Sequence, residues 1–188
     1  LYCVAYNALY INYEYNEREK MISTYNLFAV PLTHGKLPLQ PLLHKQIISF
    51  VEDNYTEKDL ISCKKGFQFH ENFEGKKEMD QILNKFLTNT CNSYILNSWL
   101  NILGDYSYNT PHSHTGNSVS LSGVFYLSNE NNNINFTKDG HVFSLEPKLF
   151  DILIFPYDLV HYVLPEERKI KRICHAFNLV NIGSLKDE

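Results

Sequence analysis

Two histidines separated by one residue, His112 and His114, stand just ahead of the strand-like run SLSGVFYL, and this pair limits how the chain can fold more than any other stretch. On an extended backbone the side chains of residues i and i+2 point to one side, so both imidazoles can face one cavity. Two such nitrogens are most of a metal site, and a third ligand has to come from far along the chain. The apolar segment FDILIFPYDLVHYVLP, Phe150 to Pro165, offers His161, and Arg172 follows it at the head of RICHAFNLV. The constellation implies a mononuclear non-heme metal centre that holds an acidic co-substrate.

The rest of the chain reads as a single β-rich domain. Its 188 residues suit one core of useful size, and 13 Tyr and 12 Phe in a chain only 20% charged favour strands over disorder or coiled coil. A net charge of -4 gives no electrostatic footprint for non-specific nucleic-acid binding, the one basic cluster being Arg168, Lys169, Lys171 and Arg172. No apolar run approaches the roughly 18 residues of a membrane span and no secretory pattern is visible, so the expected location is cytoplasmic. Cys3, Cys63, Cys91 and Cys174 are scattered without a Cys-x-x-Cys pair and are expected to be reduced.

Residues 1–20, rich in Tyr and Asn without a sustained period, are expected to be an extension ahead of a domain spanning 21–188, with MISTYNLFAVPL as its first strand. Leu43, Ile47, Phe50 and Val51 fall at helical spacing after Pro41, and Met79, Ile82, Leu83, Phe86 and Leu87 do so after Gly75. Both helices are expected to pack outside a sheet. KKGFQFHENF reads as a short strand or loop, NENNNIN as a loop, and INFTKDGHVFSLEP as a hairpin turning at Asp139-Gly140. Helices in the first half and strands in the second predict a mainly β, α+β architecture: an antiparallel sandwich or barrel braced by N-terminal helices. His34, His44, His70, His141 and His175 lack a matching neighbour and read as surface or satisfied core residues.

Imidazole suits iron, zinc, copper and nickel, and two histidines with one further ligand on one face is the arrangement of non-heme iron oxygenases. One of the three is normally a carboxylate, whereas His112, His114 and His161 are all neutral and leave the charge of a divalent ion to a bound anion. If RICHAFNLV is a strand, Arg172, Cys174, Ala176 and Asn178 share one face, with small residues beside the arginine leaving room for a ligand. On SLSGVFYL, Ser120, Ser122, Val124 and Tyr126 share a face, and the Tyr126 hydroxyl can join Arg172 in binding a carboxylate.

The segments GFQFHENF, SWLN, NTPHSHTGNSVSLSGVFYL, FDILIFPYDLVHYVLP and RICHAFN, taken in order, resemble the iron(II)- and 2-oxoglutarate-dependent oxygenases, within them the small bacterial and phage group. The likeness to prolyl hydroxylases is looser but keeps the same order of metal pair, tyrosine-bearing strand, distal histidine and arginine. The resemblance implies a double-stranded β-helix, a jelly-roll of cupin-like form, with His112 and His161 as catalytic metal ligands and His114 in the usual place of a carboxylate. It further implies that Arg172, helped by Tyr126, holds the distal carboxylate of 2-oxoglutarate, with Asn101 a further pocket candidate. The implied activity is a dioxygenase that couples O2 and 2-oxoglutarate, through Fe(II), to hydroxylation of a prime substrate, releasing succinate and CO2. Whether that substrate is a peptide, a nucleobase or a small molecule is left open by the sequence. Two rival readings stand beside it: a cupin-like three-histidine metalloprotein acting without 2-oxoglutarate, and a non-catalytic binding barrel.

Overall fold

The computed structural model describes residues 22–27, 30–114, 119–129 and 132–183. The expected extension, residues 1–20, lies outside them. The first expected strand is two: β1 (Ile22–Leu27) and β2 (Val30–Lys36) pair antiparallel from Ile22 opposite Gly35 to Leu27 opposite Val30. Next come α1 (Pro41–Asn54), β3 (Cys63–Phe69) and α2 (Lys76–Cys91), followed by β4 (Ser93–His112), β5 (Leu121–Tyr126), β6 (Ile134–Lys138) and β7 (His141–Leu145). The described chain closes with β8 (Asp151–Pro156), β9 (Val160–Val163) and β10 (Arg172–Asn181).

Local sequence accounts for the helices and the hairpin. Pro41 sits in the first turn of α1, where its missing N–H costs nothing, and Leu43, Ile47 and Val51 line the buried stripe. Gly75 opens α2 at φ 87°, a conformation that side chains disfavour, and a Cβ there would meet Leu43 Cδ1 at 2.7 Å. Asp139 and Gly140, at φ 51° and 78°, make the tight turn between β6 and β7.

The strands form a curled antiparallel sheet in the order β1-β2-β8-β5-β10-β4-β9-β6-β7, with β3 added on β4. Alternation gives it two apolar faces. Phe125, Leu127, Ile152, Ile154, Ile173 and Phe177 pack against α1 and α2, whereas Val124, Tyr126, Leu153, Phe155 and Cys174 face the hollow of the curl with Ile134 and Phe136. The expected mainly β architecture, a double-stranded β-helix braced by helices, is the architecture observed.

Strand β4 runs for 20 residues and turns the corner of the curl. Its first half pairs with β10 and its far end with β9, and Tyr106 at φ 49° marks the bend between them. That bend sets His112 directly opposite His161 in the β4–β9 register.

Candidate metal centre

His112, at the end of β4, His114, two residues beyond it, and His161 on β9 come together so that one ligand nitrogen from each lies within 4.8 Å of the others. With metal–nitrogen bonds of about 2.1 Å, neighbouring ligands of one tetrahedral or octahedral ion stand roughly 3.0–3.4 Å apart, so nitrogens as far apart as 4.8 Å would draw together by about an ångström or more on binding. In each ring Nδ1 is already engaged. His112 Nδ1–H donates to Thr110 O at 2.7 Å and His161 Nδ1–H to Leu159 O at 3.0 Å. His114 Nδ1–H is shared between Asn178 Oδ1 and, at 3.1 Å, Ser122 Oγ. These bonds select the tautomer that leaves Nε2 with its lone pair, the form a metal needs.

Burial keeps the three rings neutral. It pushes His161 down to about 3, with His112 and His114 adding to the effect, and lowers His112 and His114 as well. Protons therefore compete weakly for the ligand nitrogens at neutral pH.

The same cavity is lined farther in by Arg172, Cys174 and Ala176 of β10, with Asn101 and Asn109 of β4 and Gln68 of β3 along one wall. Val124, Ile134, Phe155 and Val163 supply apolar surface. The Arg172 side chain is 1% exposed. Its Nη2–H donates to the Tyr126 hydroxyl at 3.2 Å and its Nη1–H to Cys174 Sγ at 3.4 Å, while Nε is buried with no partner. Among the described residues no carboxylate pairs with it. Burial pushes the Tyr126 phenol far above its ordinary range, so it remains a hydroxyl beside the cation.

The alternation read from the sequence holds: Arg172, Cys174 and Ala176 line the cavity, Asn178 on the same face meets His114, and Ile173 and Phe177 pack against the helices. Asn101 is fixed in the wall by its neighbours: it accepts from Gln68 Nε2 at 3.2 Å and donates to Asn109 Oδ1 at 3.0 Å. Three other histidines are engaged away from the cavity: His34 pairs with Asp151 at 3.0 Å, His44 bonds Leu127 O at 2.8 Å, and fully buried His175 donates to Asp80 Oδ1 at 2.8 Å. His70 lies over Trp99 at the cavity rim, and Trp99 in turn leans on His114. Gln68, Trp99 and Asn109 were not legible as cavity residues; parity along β3 and β4 was the one signal for them. Among the described residues Cys63, Cys91 and Cys174 are free thiols, and Cys3 lies outside them.

No family model matches the chain, and no curated protein matches its sequence. Solved structures do match its shape. A prolyl-4-hydroxylase of Pseudomonas putida superposes with a TM-score of 0.59 at 13% identity, over 83% of this chain and 95% of that one. A prolyl hydroxylase of Trichoplax adhaerens, solved with a hypoxia-inducible-factor peptide fragment, gives 0.61 at 12%, over 84% and 87%. HygX of Streptomyces hygroscopicus, solved with nickel and 2-oxoglutarate, gives 0.58 at 11%, over 79% and 83%. The fold is that of the 2OG-Fe(II) oxygenases. In this chain the oxygenase fold sets three histidines at one end of its cavity and a buried guanidinium in the wall. Among the described residues no helix is long and apolar enough to cross a membrane.

Proposed function

We propose that this chain is an Fe(II)- and 2-oxoglutarate-dependent oxygenase acting on a C–H bond of an organic prime substrate. The observation that carries the reading is Arg172: a fully buried cation with an unpartnered Nε, in the cavity that holds three neutral histidines. A buried charge without a counter-ion costs several kcal/mol, and a dicarboxylate reaching from a metal to the guanidinium removes that cost. The donor set fits the group. His112, His114 and His161 would hold the iron, and Arg172 with the Tyr126 hydroxyl would hold the distal carboxylate of 2-oxoglutarate.

When bound, iron and 2-oxoglutarate together supply the oxidising chemistry, with dioxygen consumed and succinate and CO2 released. The protein's own residues orient and shield. Thr110 O and Leu159 O fix two imidazoles in the Nε2 ligand form, and Tyr126 keeps the guanidinium aimed along the cavity. Val124, Ile134, Phe155 and Val163 exclude water from the space between. Neighbours of this fold are solved with a hypoxia-inducible-factor peptide fragment and with hygromycin B bound, so the fold accommodates both a peptide and a small molecule.

A three-histidine metalloprotein working without 2-oxoglutarate has no use for an unpaired guanidinium in its cavity, which disfavours that rival. The test is anaerobic titration of 2-oxoglutarate into the Fe(II)-loaded protein, followed by the visible charge-transfer absorption of a chelated 2-oxo acid. A saturable band is expected, with a weaker affinity in Arg172→Ala. Iron bound with no band refutes the co-substrate assignment.

A further inference from the structure

The three histidines are not held alike. His112 and His161 each give Nδ1–H to the carbonyl of the residue two before, Thr110 and Leu159, so the strand supplies the anchor whatever the side chains are. His114 lies past the end of β4, tied by its own N–H to Tyr157 O at 2.8 Å, and its ring depends on side chains.

Those side chains form a row. Asn178 of β10 stands opposite Asn97 of β4 in one register and opposite Ser122 of β5 in the other, so three polar residues line up across three adjacent strands. Asn178 Nδ2–H donates to Asn97 Oδ1 at 2.9 Å, and Ser122 O–H donates to Asn178 Oδ1 at 3.1 Å. With its amide hydrogens turned to Asn97, Asn178 presents its oxygen to His114 Nδ1–H. The β10–β4 register also shifts between Asn178 and Leu179, a bulge of the kind that re-aims a side chain.

We infer that Asn178, held by Asn97 and Ser122, is the positioning residue that makes His114 a metal ligand, through an acceptor that carries no charge. The inference rests on the metal reading above and deepens it. A carboxylate at the same place would draw the Nδ1 proton and make the ring a stronger donor. The amide fixes orientation and tautomer while leaving the imidazole neutral, so the affinity of the centre is set at Asn178 rather than at the ligands alone.

The test measures the affinity of the protein for Fe(II), anaerobically, by competition with a chromophoric chelator. Asn178→Leu is expected to weaken binding about 10- to 100-fold, Ser122→Ala to weaken it less, and Asn178→Asp to bind at least as tightly as wild type. In a His114→Ala background Asn178→Leu should have no further effect, because the ring it positions is gone. Thermal melts separate these effects from loss of fold, and Ser122→Ala carries the test if Asn178→Leu does not fold. Wild-type affinity in folded Asn178→Leu, or an equal loss with and without His114, overturns the role of Asn178 and leaves the metal centre standing. Wild-type protein that binds no better than His112→Ala overturns both.

Discussion

Arg168 and Arg172 stand four residues apart and are both buried, yet their surroundings are opposite. Arg168 uses its whole guanidinium: Nε–H to Asn132 Oδ1 at 2.6 Å, Nη1–H to Gly104 O at 3.1 Å and Ser107 O at 2.6 Å, and Nη2–H to Leu164 O at 3.1 Å. Gly104 O and Ser107 O flank the bend of β4 at Tyr106, so Arg168 clasps the turn that aims His112. Arg172 has one phenol, one thiol and a bare Nε. An arginine with every nitrogen engaged is a strut; the more deeply buried one with a bare Nε is, on the reading proposed above, the holder of the co-substrate carboxylate.

Exchanging each arginine for alanine should separate the two roles. Arg172→Ala is expected to weaken 2-oxoglutarate binding to the iron-loaded protein at least about a hundredfold, since losing one partner of a buried charge pair costs about 3–5 kcal/mol. The metal-free variant should melt no lower than wild type. Arg168→Ala should do the reverse: lower unfolding stability in urea by about 3 kcal/mol or more, as several carbonyls lose their donor together, with co-substrate affinity of the folded protein close to wild type. An Arg172→Ala protein that unfolds while Arg168→Ala does not would dissolve the contrast.

Acid sharpens it, because neither arginine titrates in the accessible range. His161 is held near 3 by burial, and His112 and His114 are lowered too. The unfolded chain protonates these histidines near their ordinary value of about 6.5, so below that pH the unfolded state binds more protons. Stability of the metal-free protein is therefore full above about pH 7 and should fall as the pH drops toward 4. Urea titrations at stepped pH measure this, and replacing His161 by Gln should flatten the curve. The smallest change expected is in Tyr126→Phe, which removes one neutral hydroxyl from the guanidinium and should weaken 2-oxoglutarate about fivefold, the equivalent of about 1 kcal/mol.

Much of this was written plainly in the chain. Period-3.6 spacing from Leu43 to Val51 and from Met79 to Leu87 marked both helices, and alternation through RICHAFNLV sorted Arg172 and Cys174 from Ile173 and Phe177. The spacing of His112 and His114, with His161 after an apolar run, marked three side chains that the fold does bring together, because few residue types bind metals. Other features were less legible, for reasons of geometry. The β1–β2 pair read as one strand because the break falls within an unbroken apolar run. Asn178 and Ser122 were placed on the right faces, but the register that brings them to His114 is a property of three strands at once. The different fates of Arg168 and Arg172 are invisible in a cluster of like charges, since each depends on carbonyls and hydroxyls far away in sequence.

The last described strand, β10, lies between β5 and β4, deep inside the sheet rather than at an edge. Order of synthesis and order of assembly are therefore at odds. While the chain is being made, β4 and β5 must wait, with their backbone edges exposed, for the strand that will join them. Arg172 and Asn178 arrive with that same strand. A nascent chain long enough to carry all three histidines still lacks Asn178, the centre of the row that fixes the His114 ring, and on the role proposed for Asn178 it would hold a metal more weakly than the finished fold.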